Sequence, residues 1–176
     1  AFYGLNMLQE NSQKMYDKDL LGISYLRQMN RTTNEIGRVV NRVVLSENFG
    51  DSEAAQKGKE TIAKAKVTLL ELYEKAKGTI IRPELKTRID SELKIIEKYF
   101  SEVDRVIAAS EVKGGAQTAY NIIKSKEYQD ALNGLILENR ELAQIKSDGA
   151  AKNNEIANAA ADHMKWLIGV LLVAAL

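Results

Sequence analysis

Long, almost unbroken helical periodicity is the feature that most constrains the fold of this chain. Four stretches repeat apolar residues every three or four positions, and only three short breaks separate them. The single proline, Pro83, follows one of these breaks, where a proline can begin a helix without losing a hydrogen bond. Because Ala, Leu, Lys and Glu, which all favour helices, are abundant, we predict an all-α protein.

The breaks predict where the helices begin and end. The predicted helices run from about Leu5 to Ser46, from Glu53 to Lys77, from Pro83 to Ala109, and from near Thr118 toward the C-terminus. Ser52 is the expected N-cap of the second helix. Short connections make neighbouring helices antiparallel, so the expected fold is an up-down-up-down antiparallel four-helix bundle. At 1.5 Å per residue, helices of ~40 residues give a rod about 60 Å long.

The same periodicity predicts which side chains form the core. In the first helix these are Ile23, Leu26, Thr33, Ile36, Val40, Val43 and Val44. In the second helix they are Ile62, Ala65, Leu69, Leu70, Tyr73 and Ala76, and in the third Leu85, Ile89, Leu93, Ile96, Phe100, Val103 and Ile107.

Both ends of the chain carry apolar residues that suggest a membrane. No polar residue occurs between Trp166 and Leu176, and Lys165 precedes this run. A spanning helix needs about 20 apolar residues. We therefore predict that 165–176 begin a second transmembrane helix that is truncated here, and that 1–5 end a first one. Residues 6–164 would then form an extracytoplasmic bundle; a C-terminal helix buried against a partner is the alternative.

Composition excludes several classes of function. There are 25 basic and 24 acidic residues, which gives no electrostatic basis for binding nucleic acid. The chain has no cysteine and one histidine, His163, so thiol chemistry and the di-iron chemistry of helical bundles are not expected. We predict that the protein is not an enzyme, with no catalytic residue, metal or cofactor.

One charged pattern on the first helix suggests a binding site. Arg27, Arg31, Arg38 and Arg42 fall within a stripe roughly 60° wide at about 100° per residue, well away from the apolar face. Of the nearby acidic residues only Glu35 lies close to it. The stripe is therefore either a solvated basic face or a site for an anion, which guanidinium groups bind with two parallel hydrogen bonds.

The start of the fourth helix offers a second, weaker clue. Helix N-termini have free N–H groups and partial positive charge, both suited to a carboxylate. Tyr120 and Ser125 follow that start, and in an up-and-down bundle this end lies beside Arg42, far from the predicted membrane. By itself, Tyr120 fits better as a packing aromatic residue at a helix start.

These features resemble a known family. The segments Met15–Ile23 and Ile36–Val43, with the membrane-flanked bundle, are similar to the four-helix-bundle periplasmic ligand-binding domain of bacterial methyl-accepting chemotaxis proteins. The resemblance implies that Arg38 and Arg42 bind ligand carboxylates across a dimer interface, and that Tyr120 and Ser125 contact the ligand. Thr33 stands where that family has a third arginine. We add Arg31 from the same stripe to the expected site.

The resulting hypothesis is a chemotaxis receptor's sensory domain that binds a small carboxylate. Di- or tricarboxylates are favoured over amino acids because the basic stripe outweighs any evident acidic residue that could bind an ammonium group. The expected partners are a second copy of the chain, the membrane through both termini, and a cytoplasmic kinase and adaptor through parts absent from this chain. The domain would lie in the periplasm, anchored in the inner membrane, and would signal through its last helix. The alternatives are a sensor histidine kinase ectodomain and a ligand-free helical tether.

Overall fold

The computed structural model describes the backbone of residues 2–174 and the side chains of 13–168 and 170. Within this range the chain forms five helices: α1 (Phe2–Phe49), α2 (Ser52–Gly78), α3 (Pro83–Glu111), α4 (Ala116–Lys124) and α5 (Lys126–Ala174). α1 packs along α2 and α5, while α3 packs along α4 and α5. α4 and α5 together make the fourth arm, so the predicted all-α four-helix bundle is confirmed.

The prediction of one continuous fourth helix was wrong, because Ser125 interrupts it. Ser125 has an extended backbone (φ −63°, ψ 153°), and its N–H donates to the Ile122 carbonyl at 2.9 Å, which closes α4. The Tyr128 N–H then donates to the Ser125 hydroxyl at 3.3 Å, so the same residue begins α5. One residue with a short polar side chain thus ends one helix and caps the next.

The N-cap of α2 also differs from the prediction. The Ala54 N–H donates to the Asp51 carboxylate at 3.0 Å, so Asp51, and not Ser52, caps this helix. The other boundaries lie within about three residues of those expected, and Pro83 is the first residue of α3, as predicted.

The core contains most of the predicted residues. All seven of the predicted α1 residues are buried. In α2, Leu70 is an error, since 37% of it is exposed, and Ala65 is only half-buried. In α3, Leu93, Phe100 and Ile107 are only half-buried. Glu92, Tyr99 and Val106 instead complete the buried face of α3. The periodicity was correct, but the centre of the buried face was misplaced by part of a turn.

Where the bundle ends, a two-helix stalk continues. Residues 79–82, the turn between α2 and α3, contact α1 at Asp19 and α5 at Lys146. Beyond that turn only α1 and α5 remain side by side, and Gln13, Tyr16, Asn153 and Ala157 line a groove between them. No described side chain of α5 after Ala150 is buried.

The predicted membrane segments lie mostly outside the described side chains. Side chains 1–5 and 171–176 are not described, and neither is that of Gly169. Trp166 is 64% exposed at the end of the described stalk. Among the described residues, no helix contains an apolar stretch of the length that a bilayer crossing demands.

Candidate functional site

The arginine stripe of α1 lies on the surface. Arg27, Arg31, Arg38 and Arg42 are all exposed, whereas Ile36, Val39, Val40 and Val43 between them are buried. Throughout residues 13–168, no carboxylate comes within ion-pair distance of any of these four guanidinium groups. The stripe therefore presents unneutralised positive charge to whatever approaches α1.

Tyr120 and Ser125 lie on the fourth arm, at the end of the bundle that is far from the stalk. Tyr120 is 47% exposed, and the Lys124 ammonium lies 5.2 Å from the centre of its ring. Ser125 is half-buried, with its hydroxyl engaged in the helix break. No hydrogen bond among the described side chains joins either residue to Arg38 or Arg42. Within one subunit, the two arginines lie one helical turn apart on α1, whereas Tyr120 and Ser125 belong to the fourth arm.

Thr33 belongs to the core instead of the surface stripe. Its side chain is fully buried, and its hydroxyl donates to the Met29 carbonyl at 2.9 Å. Its own carbonyl accepts a hydrogen bond from the Tyr99 hydroxyl at 3.2 Å. A surface ligand has no access to this side chain, so we leave Thr33 out of the proposed site.

Sequence reasoning missed a buried charge cluster at the junction between bundle and stalk. The Lys146 ammonium, with the residue only 1% exposed, donates to the Asp19 carboxylate and to the Thr79 carbonyl, each at 3.1 Å. The Arg82 guanidinium donates to the other Asp19 oxygen at 3.1 Å and to the Ile145 carbonyl at 3.4 Å. Burial lowers the pKa of Lys146, while its hydrogen bond to Asp19 opposes that shift. This junction cluster ties α1, α5 and the α2–α3 turn together.

Two glycines make the junction cluster possible. A β-carbon at Gly22 would overlap the Lys146 side chain, and one at Gly149 would overlap the Arg82 guanidinium. A glycine inside a helix is unfavourable by about 0.5–1 kcal/mol relative to alanine. Gly22 in α1 and Gly149 in α5 were therefore the sequence signal for this cluster. A glycine inside a long helix indicates that another part of the chain passes close to the helix at that position.

Glu92 is a second buried charge that the sequence reasoning missed. It is 0% exposed, and neither of its carboxylate oxygens has a hydrogen-bond partner among the described residues. The nearby Arg88 instead bonds to Glu138 and Glu141. Burial, reinforced by the charge of Glu138, raises the pKa of Glu92 to about 8. Its position three residues after Ile89 and four before Ile96 was the signal that it faces the core.

The described residues offer no obvious site for a metal. No group of three or more His, Cys, Asp or Glu side chains within them could hold a metal ion.

Comparison with known proteins gives one result that covers most of the chain. Residues 1–161 match the family model described as a four-helix-bundle sensory module for signal transduction. Neither the curated proteins nor the solved structures include a significant match.

Proposed function

Because the chain belongs to the four-helix-bundle sensory modules of chemotaxis receptors, we propose that it is the periplasmic ligand-binding domain of an inner-membrane receptor. Membership supports a role in signal transduction and gives no reason to expect catalysis. The ligand, the assembly and the location are our proposals. The arginine stripe is the observation that supports the proposed ligand.

Arg38 and Arg42 are the proposed carboxylate-binding pair. They lie one helical turn apart, both are exposed, and no acidic partner neutralises them among the described residues. Like charges four residues apart on a helix are mildly destabilising, and a bound anion would relieve that repulsion. Arg31 extends the positive field along the same stripe. A ligand with two or three carboxylates matches this spacing of charge better than one with an ammonium group.

A second copy of the chain would complete the site. Tyr120 and Ser125 form no hydrogen bond with the arginines among the described side chains, and Leu20 on α1 is 46% exposed. In the proposed homodimer the two α1 helices face each other, and an anion between them links the arginines of one subunit to polar groups of the other. Ligand binding and dimerisation then strengthen each other, as linkage requires.

The last helix would carry the signal toward the membrane. α5 runs as one element from the break at Ser125, past the junction cluster, to Trp166 and beyond. A shift at the ligand end of such an element reaches the other end if the helix has two discrete resting positions. The cytoplasmic kinase and adaptor would read that shift through parts outside this chain.

A thermal-shift and calorimetric titration with succinate and citrate tests the proposal. Either ligand at 100 times its Kd should stabilise the fold by about 2.7 kcal/mol. Arg38→Ala or Arg42→Ala should weaken binding roughly tenfold to a hundredfold, the effect of one lost charge-assisted hydrogen bond, while leaving the fold intact.

Lys94→Ala is the matched control, since Lys94 is an exposed cation on α3 with no ion-pair partner among the described residues. It should leave the affinity unchanged. Unaltered affinity in both arginine variants would remove this pair from the site. No stabilisation by any organic acid would favour a ligand-free tether.

A further inference from the structure

The junction cluster contains the hydrogen bonds between α1 and α5 that lie nearest the stalk among the described side chains. Asp19 is the first buried residue of α1 in the described range, and no described side chain of α5 after Ala150 is buried. Toward the stalk the groove between the two helices is lined mostly by amides and alanines, all of them exposed or half-buried. The relative position of the two stalk helices is therefore fixed at the cluster or within the bundle.

The buried face of α5 distinguishes poorly between one axial register and the next. Its buried residues recur at intervals of three or four positions, at Tyr128, Ala131, Leu135, Asn139, Leu142, Lys146, Gly149 and Ala150. A shift of α5 by one helical turn, about 5.4 Å, moves most of these positions onto other buried positions. Apolar contacts are non-directional, so they tolerate such a shift better than hydrogen bonds do.

The charges of the junction cluster, in contrast, fit only one register. The residues one turn away on each helix are apolar: Leu142 and Ala150 around Lys146, and Met15 and Ile23 around Asp19. None of them can replace either member of the ion pair. After a shift by one turn, the buried Lys146 ammonium would face apolar side chains, and a buried charge without its partner is strongly destabilising.

The glycines of the cluster select the same register. A β-carbon at Gly149 would overlap the Arg82 guanidinium, so α5 has no side chain where the α2–α3 turn crosses it. One turn away along α5 the residues are Ile145 and Asn153. Either of them, moved to the position of Gly149, would project its side chain into the guanidinium. On α1, Gly22 likewise leaves room for a side chain of α5. Charge and shape therefore both disfavour other registers.

We infer that the junction cluster is a register lock, which fixes the axial position of α5 against α1 and thereby positions the stalk. The α2–α3 turn closes the lock, because it contacts both helices. Register is the best-attested role of buried polar and ionic groups, since apolar residues of similar volume often give equal stability. Any movement of α5 along α1 has to open these contacts first.

The register lock has a consequence for signalling. If α5 carries a signal along its axis, the free energy needed to open the lock sets the threshold for that signal. This consequence rests on the proposed function, whereas the lock itself does not.

Distances between spin labels on the two sides of the junction test the lock in the 176-residue chain. The chain has no cysteine, so Ser24→Cys and Glu155→Cys, both at exposed positions, provide the only two labelling sites. They lie roughly 20 Å apart along the axis at 1.5 Å per residue, so sliding of α5 changes their separation. Double electron–electron resonance should give one narrow distance when the lock is intact.

Asp19→Leu combined with Lys146→Met should open the lock while it fills a similar volume. A second population of distances is then expected, displaced from the first by about one helical turn, 5.4 Å. Leu142→Ala is the matched control, since Leu142 is fully buried on the same face of α5. It opens a cavity and lowers stability, but it leaves the charges and glycines of the lock in place. One narrow distance should remain in this control.

Arg82→Ala keeps the test available if the double variant does not fold. The Arg82 side chain is 22% exposed and lies in the turn, outside the apolar core. Its removal takes away contacts of the turn with Asp19 and with α5, so the second population should appear here in a smaller proportion.

Two results would overturn the inference. One unchanged narrow distance in the double variant, or in Arg82→Ala if only that variant folds, would show that the apolar core sets the register. A second population in Leu142→Ala as large as in the double variant would show that any loosening of the bundle is sufficient. Because the labels report in the absence of ligand, a failure to bind succinate would reject the proposed function and leave the lock standing.

Discussion

The junction cluster and the Glu92 site both bury ionisable side chains in the bundle, but they treat the charge in opposite ways. Asp19 is paired with both Lys146 and Arg82, and the Thr79 and Ile145 carbonyls each accept a further hydrogen bond from one of these cations. Glu92 has no hydrogen-bond partner among the described residues, and Arg88, one turn before it, bonds to two other carboxylates. The junction cluster tolerates burial because its charges are paired, whereas Glu92 tolerates it because its carboxyl group stays protonated.

Removing one member of the junction cluster should have the largest effect on stability. Asp19→Ala leaves Lys146 buried without its carboxylate and takes a partner from Arg82. Breaking a buried pair in this way typically costs about 3–5 kcal/mol. Urea unfolding at pH 7 measures the loss, with Asp130→Ala, at an exposed position of α5, as the control.

A double variant separates pairing from packing in the same cluster. Asp19→Leu combined with Lys146→Met removes both charges and fills similar volume, so it should recover most of the stability lost by Asp19→Ala. If Asp19→Ala alone lowers the free energy of unfolding by less than about 1 kcal/mol, then Lys146 finds other partners or loses its proton at little cost.

The Glu92 site should instead make stability depend on pH. Below about pH 4, Glu92 is protonated in both the folded and the unfolded chain. As pH rises, the unfolded chain releases this proton while the folded protein holds it up to about pH 8. The contribution of Glu92 to the free energy of unfolding therefore falls across this window, by up to about 1.4 kcal/mol per pH unit, and is constant above it.

Glu92→Gln removes the titrating group, so the free energy of unfolding should vary less with pH between about pH 4 and pH 8. Unfolding free energies at pH 5, 6, 7 and 8 provide the measurement, and Glu97→Gln, on the exposed side of α3, should retain the wild-type slope. If the Glu92→Gln profile runs parallel to that of wild type, Glu92 is ionised in the folded protein and some group pairs with it.

Two glycines of α5 give the smallest and most selective comparison. A β-carbon at Gly149 would overlap the Arg82 guanidinium and displace it from Asp19, so Gly149→Ala should destabilise the fold by about 1–3 kcal/mol. At Gly134 nothing lies within 4 Å of the added carbon. Gly134→Ala should therefore stabilise the helix by about 0.5–1 kcal/mol. Thermal unfolding measures the stability change in each variant. If both changes have the same sign, the close approach of Arg82 to Gly149 is contradicted.

Periodicity and breaking residues in the sequence determined the helices and their order. Repeats of three and four residues suffice for this because each helix must bury one apolar face whatever its neighbours are. They also placed Arg38 and Arg42 outside the core. The break at Ser125 escaped prediction because it depends on one serine whose hydroxyl captures a backbone N–H, a local competition with no periodic signal.

Only the tertiary structure decided which polar residues are buried and what they meet. Asp19 and Lys146 are far apart in sequence, and nothing in either helix alone reveals that the other crosses it. Glu92 occupies a core-facing position, but periodicity cannot tell whether such a carboxylate is paired or protonated. It also cannot tell whether the predicted buried face is misplaced by part of a turn. Burial and hydrogen bonding are properties of the packed arrangement, whereas helical periodicity is a property of each segment by itself.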